Sequence, residues 1–196
     1  MKAHSIKALR SQRGISLLEV LIAAFLTSLI ATAAFHFHVE MNSQSEAQFD
    51  LANAQLVCRN SLMDVKKTLR MAGFKLPESQ PAYRIAGDTL TVYMAGTQPI
   101  DTITYYLDEF TSAEYASKAA VPTGRHLYKL MKKTNSADAE ILGDFLTFMT
   151  YDLMDSANVV VSLGSQTQHQ DFRLKKDNGY RSYAVSERIN IRNMAY

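Results

Sequence analysis

The longest run of hydrophobic positions in the chain lies near its amino terminus. Residues 15–35 are apolar apart from Glu19 and the hydroxyl side chains of Ser16, Thr27, Ser28 and Thr32, and no proline or glycine interrupts them. A membrane-spanning helix needs about 20 predominantly apolar residues. The pattern therefore predicts a helix that begins near Ile15 and is long enough to cross a bilayer.

The helical pattern continues after the composition becomes polar at Glu40. Apolar residues still recur at steps of three and four, which places them on one helix face, while polar residues such as Asp64 lie off that face. Gly73 and Pro77 mark the end of the helix. We predict one helix over residues 15–72, with an apolar stripe of Ala47, Leu51, Ala54, Cys58, Leu62, Val65, Leu69 and Ala72.

Beyond Gly73 the pattern changes to short runs of alternating apolar and polar residues, which are typical of strands. We predict strands at 83–85, 89–94, 101–107, 126–132, 141–153, 158–163, 172–174 and 183–193. Gly87-Asp88 is the predicted turn of the first hairpin. Residues 110–122 are expected to form a loop or short helix, and residues 164–170 a polar loop. Within 141–153, we expect one sheet face to carry Phe145, Thr147, Met149 and Tyr151.

A glycine and a glutamate at a fixed spacing precede the apolar helix. Gly14 is followed by apolar Ile15, and Glu19 is the fifth residue after the glycine. This arrangement resembles the cleavage and methylation signal of type IV prepilins and type II secretion pseudopilins, although the family usually has Phe where this chain has Ile15. The resemblance implies cleavage between Gly14 and Ile15 by a prepilin peptidase, methylation of Ile15, and a role for Glu19 in subunit assembly.

The second half of the chain also resembles part of that family. The sequence LRMAGF at 69–74, followed by ITYYLDE, GRHLYKLMK, ILGDFLTFMTYD and ERINIRN, is similar to PilW-like minor pilins and to pseudopilin J of type II secretion. The resemblance implies a pilin-like α+β fold, in which one long helix, transmembrane and then amphipathic, packs on an antiparallel β-sheet domain. It also implies a structural role, in which minor subunits start filament assembly and lie at its tip.

The expected organisation has four segments, which are a leader at 1–14, a transmembrane part at 15–35, an amphipathic part at 36–73 and a β-rich domain at 74–196. Positively charged flanks stay in the cytoplasm, so we expect the carboxyl-terminal part to face the periplasm or the outside. The resemblance implies a single-pass inner-membrane protein with a periplasmic domain, which later enters a pilus or pseudopilus filament at the cell surface. The resemblance implies four kinds of partner: the prepilin peptidase, other minor and major pilins, the inner-membrane assembly platform and membrane lipid.

Charge argues against a protein that mainly binds nucleic acid. The leader holds four of the 21 Lys and Arg and none of the 19 acids, so the remainder has a formal net charge of −2. The one basic stretch that could contact nucleic acid includes Arg173, Lys175, Lys176 and Arg181. Solvent-facing strand positions are the simpler explanation for these residues, because phosphate contacts require clustering on one surface.

Catalytic and metal-binding patterns are missing from the sequence. There is no nucleophile elbow, no glycine-rich phosphate loop and no Cys/His set at metal spacing, and the single Cys58 cannot form an intrachain disulfide. Calcium bound by Asp144, Asp152 and Asp155 remains an alternative to a solvated turn, although their spacing is not that of an EF-hand. We therefore expect no enzyme, cofactor or metal.

Three alternatives to a minor pilin stay open. An ordinary secretory signal could explain residues 1–35, although such signals have an apolar core of only about 7–15 residues. Pseudopilin J would have the same chemistry in another machine. A tip adhesin or DNA-binding module would use the basic stretch near the carboxyl terminus. An anchored enzyme is the least favoured class.

Overall fold

The fold consists of one long helix and one antiparallel sheet. The computed structural model describes residues 16–96, 100–111, 126–155, 157–171, 174 and 179–193. Helix α1 spans Leu17–Met71 and is followed by β1 (Tyr83–Ala86), β2 (Thr89–Met94), β3 (Asp101–Glu109), β4 (Tyr128–Thr134), β5 (Glu140–Asp155), β6 (Asn158–Gln166) and β7 (Ser182–Asn190). The seven strands are adjacent in chain order, and each neighbouring pair is antiparallel. This α+β, pilin-like arrangement confirms the predicted fold class.

The described residues divide between Gln44 and Ser45 into two compact units. The first unit contains the amino-terminal part of α1, and the second contains the rest of α1 and the whole sheet. The observed bounds of α1 agree with the predicted helix to within two residues at each end.

The second part of α1 packs its apolar stripe against the sheet. Cys58, Val65 and Leu69 are fully buried, together with Leu90, Val92 and Tyr105 from the strands. Ala47 and Leu51, which were predicted in the same stripe, are only half-buried. The helix ends at Met71 and is followed by a turn that contains Gly73. Gly73 has a φ of +77°, a conformation that glycine adopts at little cost, and its N–H donates to the carbonyl oxygen of Tyr93 at 2.9 Å.

Most predicted strands are confirmed with small changes at their ends. The predicted polar loop at 164–170 is wrong in its first part, because Gly164–Gln166 continue β6. Ser165 and Gln166 are buried there, and the Ser165 hydroxyl donates to the carbonyl oxygen of Ala54 at 2.9 Å. Of the predicted strand at 172–174, only Leu174 is described, and it is outside any strand. The expected loop or short helix at 110–122 lies mostly outside the described residues.

Strand β5 does not alternate as predicted. Gly143, Leu146 and Met149 are buried, whereas Phe145 and Thr147 are half-exposed. Four shifts of register accompany this change, two in the pairing with β4 and two in the pairing with β6. Phe145 has a φ of +56°, and it lies between Gly143 and Leu146, where one of the shifts against β4 occurs. A β-bulge adds one residue to one strand and reverses the faces beyond it, so the prediction of a shared face for Phe145, Thr147, Met149 and Tyr151 is wrong.

A polar network lies between α1 and the sheet. The Tyr105 hydroxyl donates to Asp64 Oδ2 at 2.7 Å and lies 2.7 Å from Thr68 Oγ1. Lys132 Nζ lies 2.9 Å from the same Asp64 Oδ2. Burial raises the pKa of the Tyr105 hydroxyl well above its ordinary value, so the phenol is a proton donor at neutral pH. On the other flank of α1, Lys66 forms an ion pair with Glu187 of β7.

Candidate functional site

The first turn of α1 contains a helix cap and the acidic residue of the candidate signal. Ser16 Oγ accepts a hydrogen bond from the Glu19 N–H at 3.3 Å, and the Ser16 carbonyl oxygen accepts one from the Val20 N–H at 3.2 Å. Ser16 is therefore the N-cap residue. The Glu19 carboxylate lies in the first turn, where the helix dipole favours a negative charge by about 0.3–1 kcal/mol.

The cap at Ser16 was not predicted from the sequence. Its signal was present as Ser16-x-x-Glu19, which has the spacing of a capping box. The cap explains why the helix begins at Leu17 rather than further along the apolar run. Gly14 and Ile15, the predicted cleavage and methylation residues, lie outside the described residues, so both assignments stay predictions.

The helix surface that follows Glu19 is apolar and exposed. Phe25 is 62% exposed, Ile30 71% and Phe35 68%. The most hydrophobic stretch of α1 is long and apolar enough to cross a membrane, and none of it is buried within the chain. A signal sequence near the amino terminus would meet the same length and composition, so this surface alone does not distinguish an anchor from a signal.

The polar side chains inside this apolar stretch are satisfied by the helix itself. Thr27 Oγ1 donates to the carbonyl oxygen of Ala23 at 2.7 Å, and Thr32 Oγ1 donates to that of Ser28 at 2.8 Å. The Ser28 hydroxyl donates to the carbonyl oxygen of Phe25 at 2.8 Å. A hydroxyl without a partner would be costly in hydrocarbon. With these bonds made, Glu19 is the one charged side chain of the described stretch between Ser16 and Phe35.

The candidate metal ligands do not converge. Asp144 is half-buried and Asp152 is exposed, and both belong to β5. Asp155 serves the turn between β5 and β6, where its carboxylate accepts hydrogen bonds from the Ala157 N–H at 2.8 Å and the Asn158 amide at 2.9 Å. Within the part of the chain that the structure describes, no three His, Cys, Asp or Glu side chains are grouped to hold a metal ion.

The candidate nucleic-acid residues are only partly within the structure. Arg173, Lys175 and Lys176 lie outside the described residues. Arg181 Nη2 lies 2.7 Å from Asp171 Oδ2, and the side chain of Asp171 is 9% exposed. The charge of Arg181 is therefore balanced by a nearly buried carboxylate, which makes Arg181 an anchor of the chain preceding β7.

Comparison with known proteins identifies a family motif near the amino terminus of the chain. Residues 9–35 match the family model described as the prokaryotic N-terminal methylation motif. That motif supports a type IV pilin-like or pseudopilin protein. No curated protein and no solved structure matches the chain.

The methylation motif coincides with the capped first turn of α1 and the exposed apolar surface that follows it. The matched segment covers Ser16, Glu19 and the exposed apolar surface up to Phe35. The motif implies processing by a prepilin peptidase and assembly with other pilins, and it suggests a membrane-anchored pilin. It points to a structural protein and not to an enzyme.

Proposed function

We propose that the chain is a minor type IV pilin of the PilW-like group, a structural subunit that starts pilus assembly and lies at the tip. A prepilin peptidase cuts it between Gly14 and Ile15 and methylates Ile15. The observation that carries this proposal is the methylation motif at residues 9–35, which ends in an apolar helix surface that nothing within the described chain covers. The minor role and the PilW-like subtype rest on the resemblance of residues 69–74 and the strand sequences.

The proposed assembly mechanism is electrostatic. Cleavage creates a positively charged amine at Ile15, and Glu19 supplies the negative charge needed to neutralise the amine of a neighbouring subunit. A carboxylate costs about 2.5–3.5 kcal/mol at the centre of a spanning helix and less near an end, where Glu19 lies. The dipole of the first helical turn offsets only part of that cost. Pairing with an amine in a place without water supplies the remainder.

We propose the following path for the protein. It enters the inner membrane with the leader in the cytoplasm and residues 74–196 in the periplasm. The assembly platform then moves it into the filament, where residues 15–35 leave lipid for contacts with other pilin helices.

A pseudopilin J of type II secretion is the second candidate, because it uses the same motif in another machine. The genes beside this one distinguish the two candidates.

A tip module that binds DNA is the third candidate. Charge reversal at Lys175 and Lys176 tests it without disturbing Arg181, whose ion pair with Asp171 supports the fold. Loss of DNA binding with normal filaments would favour this third candidate.

The decisive experiment is the amino-terminal mass of the protein purified from its own membrane. We expect a chain that begins at methylated Ile15. A chain that begins at Met1, or one cut at the small residues between Ala31 and Ala34 as a secretory signal would be, would contradict the proposal and make residues 1–35 an anchor or a signal peptide. The conservative variant Gly14→Ala is expected to accumulate with its leader attached, because the peptidase acts after the glycine.

A further inference from the structure

Strand β7 is the last strand of the sheet that the structure describes. Its nine residues pair with β6 in unbroken antiparallel register from Ser182 opposite Gln166 to Asn190 opposite Asn158. Within the described residues, β7 has no strand on its other side. An unpaired strand edge presents a row of free N–H and C=O groups, to which a second chain can add.

The register identifies which backbone groups face the open side. Just beyond the ends of β7, the Ile191 N–H donates to the Ala157 carbonyl oxygen at 2.8 Å, and the Arg181 carbonyl oxygen accepts from the Thr167 N–H at 2.8 Å. Opposed residues in an antiparallel pair alternate between bonded and non-bonded. The odd-numbered residues of β7 therefore bond to β6. The outward N–H and C=O groups belong to Ser182, Ala184, Ser186, Arg188 and Asn190, all of which are exposed.

The other edge of the same sheet is protected. Strand β1 has four residues and follows Pro81 closely. Its residues Arg84 and Ala86 bond to β2 by the same alternation, because the Tyr93 N–H donates to the Ala82 carbonyl oxygen at 2.9 Å. Only Tyr83 and Ile85 present backbone groups outward. A short edge next to proline resists pairing, so the sheet protects one edge and leaves the other available.

The side chains of β7 leave its edge accessible. Ser186 Oγ lies 2.7 Å from Ser162 Oγ of β6, and Arg188 Nε donates to Asn158 Oδ1 at 3.1 Å. Both side chains make these contacts to β6 and leave the backbone of the outer edge uncovered. β7 also contains no proline and no bulge, two devices that commonly prevent strand addition.

The two faces of β7 define the chemistry of a partner. On the face that packs against α1, Tyr183 and Val185 are half-buried against the core, so an added strand would extend that core with apolar side chains. On the other face, Arg188 and Arg192 are exposed cations near the carboxyl-terminal end of the edge. Opposite charges on neighbouring strands stabilise their pairing.

We propose that β7 is a strand-addition site for an extended segment of a different polypeptide. The added strand places apolar side chains beside Tyr183 and Val185 and an acidic side chain beside Arg188. Backbone hydrogen bonds to the five outward residues supply affinity, and the alternating side chains supply register. This inference goes beyond the proposed function, because it requires neither leader cleavage nor a filament.

Amide exchange of the full-length chain in detergent micelles tests the proposal. In the free protein, we expect the amides of Ser182, Ala184, Ser186, Arg188 and Asn190 to exchange at least about tenfold faster than those of Tyr183, Val185, Glu187 and Ile189. The probe is a synthetic strand peptide with Val beside Tyr183 and Val185 and Asp beside Arg188. Its addition should slow the five outward amides by about tenfold or more and leave the other four unchanged.

Matched controls separate strand addition from non-specific binding. A peptide with the same residues shifted by one position would place its apolar side chains on the wrong face, and we expect it to bind about tenfold more weakly. Ala184→Pro removes one outward N–H at an edge position that tolerates proline, so peptide affinity should fall about tenfold. Ala184→Thr keeps the N–H and should bind normally.

Four results would overturn the proposal. The outward amides could already be slow in the free chain, which would mean that the edge is covered. The peptide could bind without slowing them, or bind equally in both registers. Sedimentation could reveal a dimer that Ala184→Pro dissociates, which would place a second copy of this chain at the edge instead of a different polypeptide.

Discussion

Tyr105 of β3 and Asp64 of α1 are joined by a hydrogen bond of 2.7 Å between the phenol oxygen and Oδ2. Tyr105 is fully buried, and its hydroxyl also lies 2.7 Å from Thr68 Oγ1. The bond ties the helix to the sheet together with the ion pair between Lys132 of β4 and the same Asp64 carboxylate. It gives the helix a fixed position along the sheet, because a slide of one turn would leave these polar groups buried without partners.

Tyr105→Phe tests the contribution of this hydroxyl. The change keeps the ring but leaves Thr68, which is 3% exposed, without its Tyr105 partner. We expect the free energy of unfolding to fall by about 1–3 kcal/mol, measured by urea unfolding at pH 7. Tyr106→Phe, on the opposite face of the same strand, is the control and should cost less than about 0.5 kcal/mol. Equal losses in both variants would contradict the assigned role of the bond.

Gly73→Ala tests the turn that terminates α1. Gly73 has a φ of +77°, and an added Cβ would overlap the backbone carbonyl oxygen of Asn193. Backbone atoms cannot move aside as cheaply as a flexible side chain, so we expect a loss of about 2–4 kcal/mol from strain and overlap together. Gly87→Ala is the matched control, since Gly87 has a φ of +58° but open space around its Cβ position.

The thermal unfolding of both glycine variants gives the comparison. Gly87→Ala should cost only the penalty of a left-handed residue, about 1–2 kcal/mol. A Gly73→Ala variant as stable as Gly87→Ala would show that the backbone at Asn193 moves aside at little cost.

Much of this fold could be predicted from spacing alone. The steps of three and four predicted α1, and Gly87-Asp88 between two alternating runs predicted the first hairpin. The faces of β5 could not be predicted, because a bulge near Phe145 depends on pairing with both neighbouring strands. The Tyr105–Asp64 bond was also hidden, since Asp64 lies at the border of the apolar stripe and its partner is distant in sequence.

The candidate site, like the fold, could be predicted from the sequence only in part. Glu19 was recognisable from its distance to Gly14, and Ser16 could have been recognised from its distance to Glu19. The anchoring of Arg181 by Asp171 could not be foreseen, because a basic residue in a charged stretch gives no sign of a nearly buried partner.

The pKa of the Asp155 carboxyl gives a prediction for the pH dependence of stability. Hydrogen bonds from Asn158, and next from the Ala157 N–H, hold the pKa of the Asp155 carboxyl below its ordinary value of 3.8. A carboxyl whose pKa is lower when folded stabilises the protein above the unfolded pKa, and that contribution disappears as the pH falls through the folded pKa. We expect an NMR titration to give a lower pKa for the folded chain, and Asn158→Ala to raise it. An unchanged pKa in Asn158→Ala would contradict this assignment.

Cys58 should be unreactive in the folded protein. It is fully buried in the stripe of α1, and burial raises the pKa of its thiol. The thiolate is the reactive form, so we expect a thiol reagent at pH 8 to label the folded chain far more slowly than the same chain in urea. An engineered exposed thiol, Asn60→Cys in a Cys58→Ala background, controls for access of the reagent to the micelle. Rapid labelling of native Cys58 would show that α1 separates readily from the sheet.

Glu19→Ala separates insertion in the membrane from assembly. The apolar run that drives insertion is unchanged, and removal of a charge from it makes insertion slightly more favourable. Assembly, in contrast, would leave the Ile15 amine of a neighbour without an opposite charge in a place without water. We therefore expect the variant to be inserted and cleaved normally, but its amount in filaments to fall by at least about tenfold, measured by immunoblot of sheared filaments against the membrane fraction.

Ser16→Ala is the control for the helix start, because it removes the cap at a cost of about 1 kcal/mol and keeps the carboxylate. If Ser16→Ala is lost from filaments as severely as Glu19→Ala, the order of the first turn and not the charge governs assembly. If Glu19→Ala enters filaments at the normal level, the carboxylate does not neutralise a neighbouring amine.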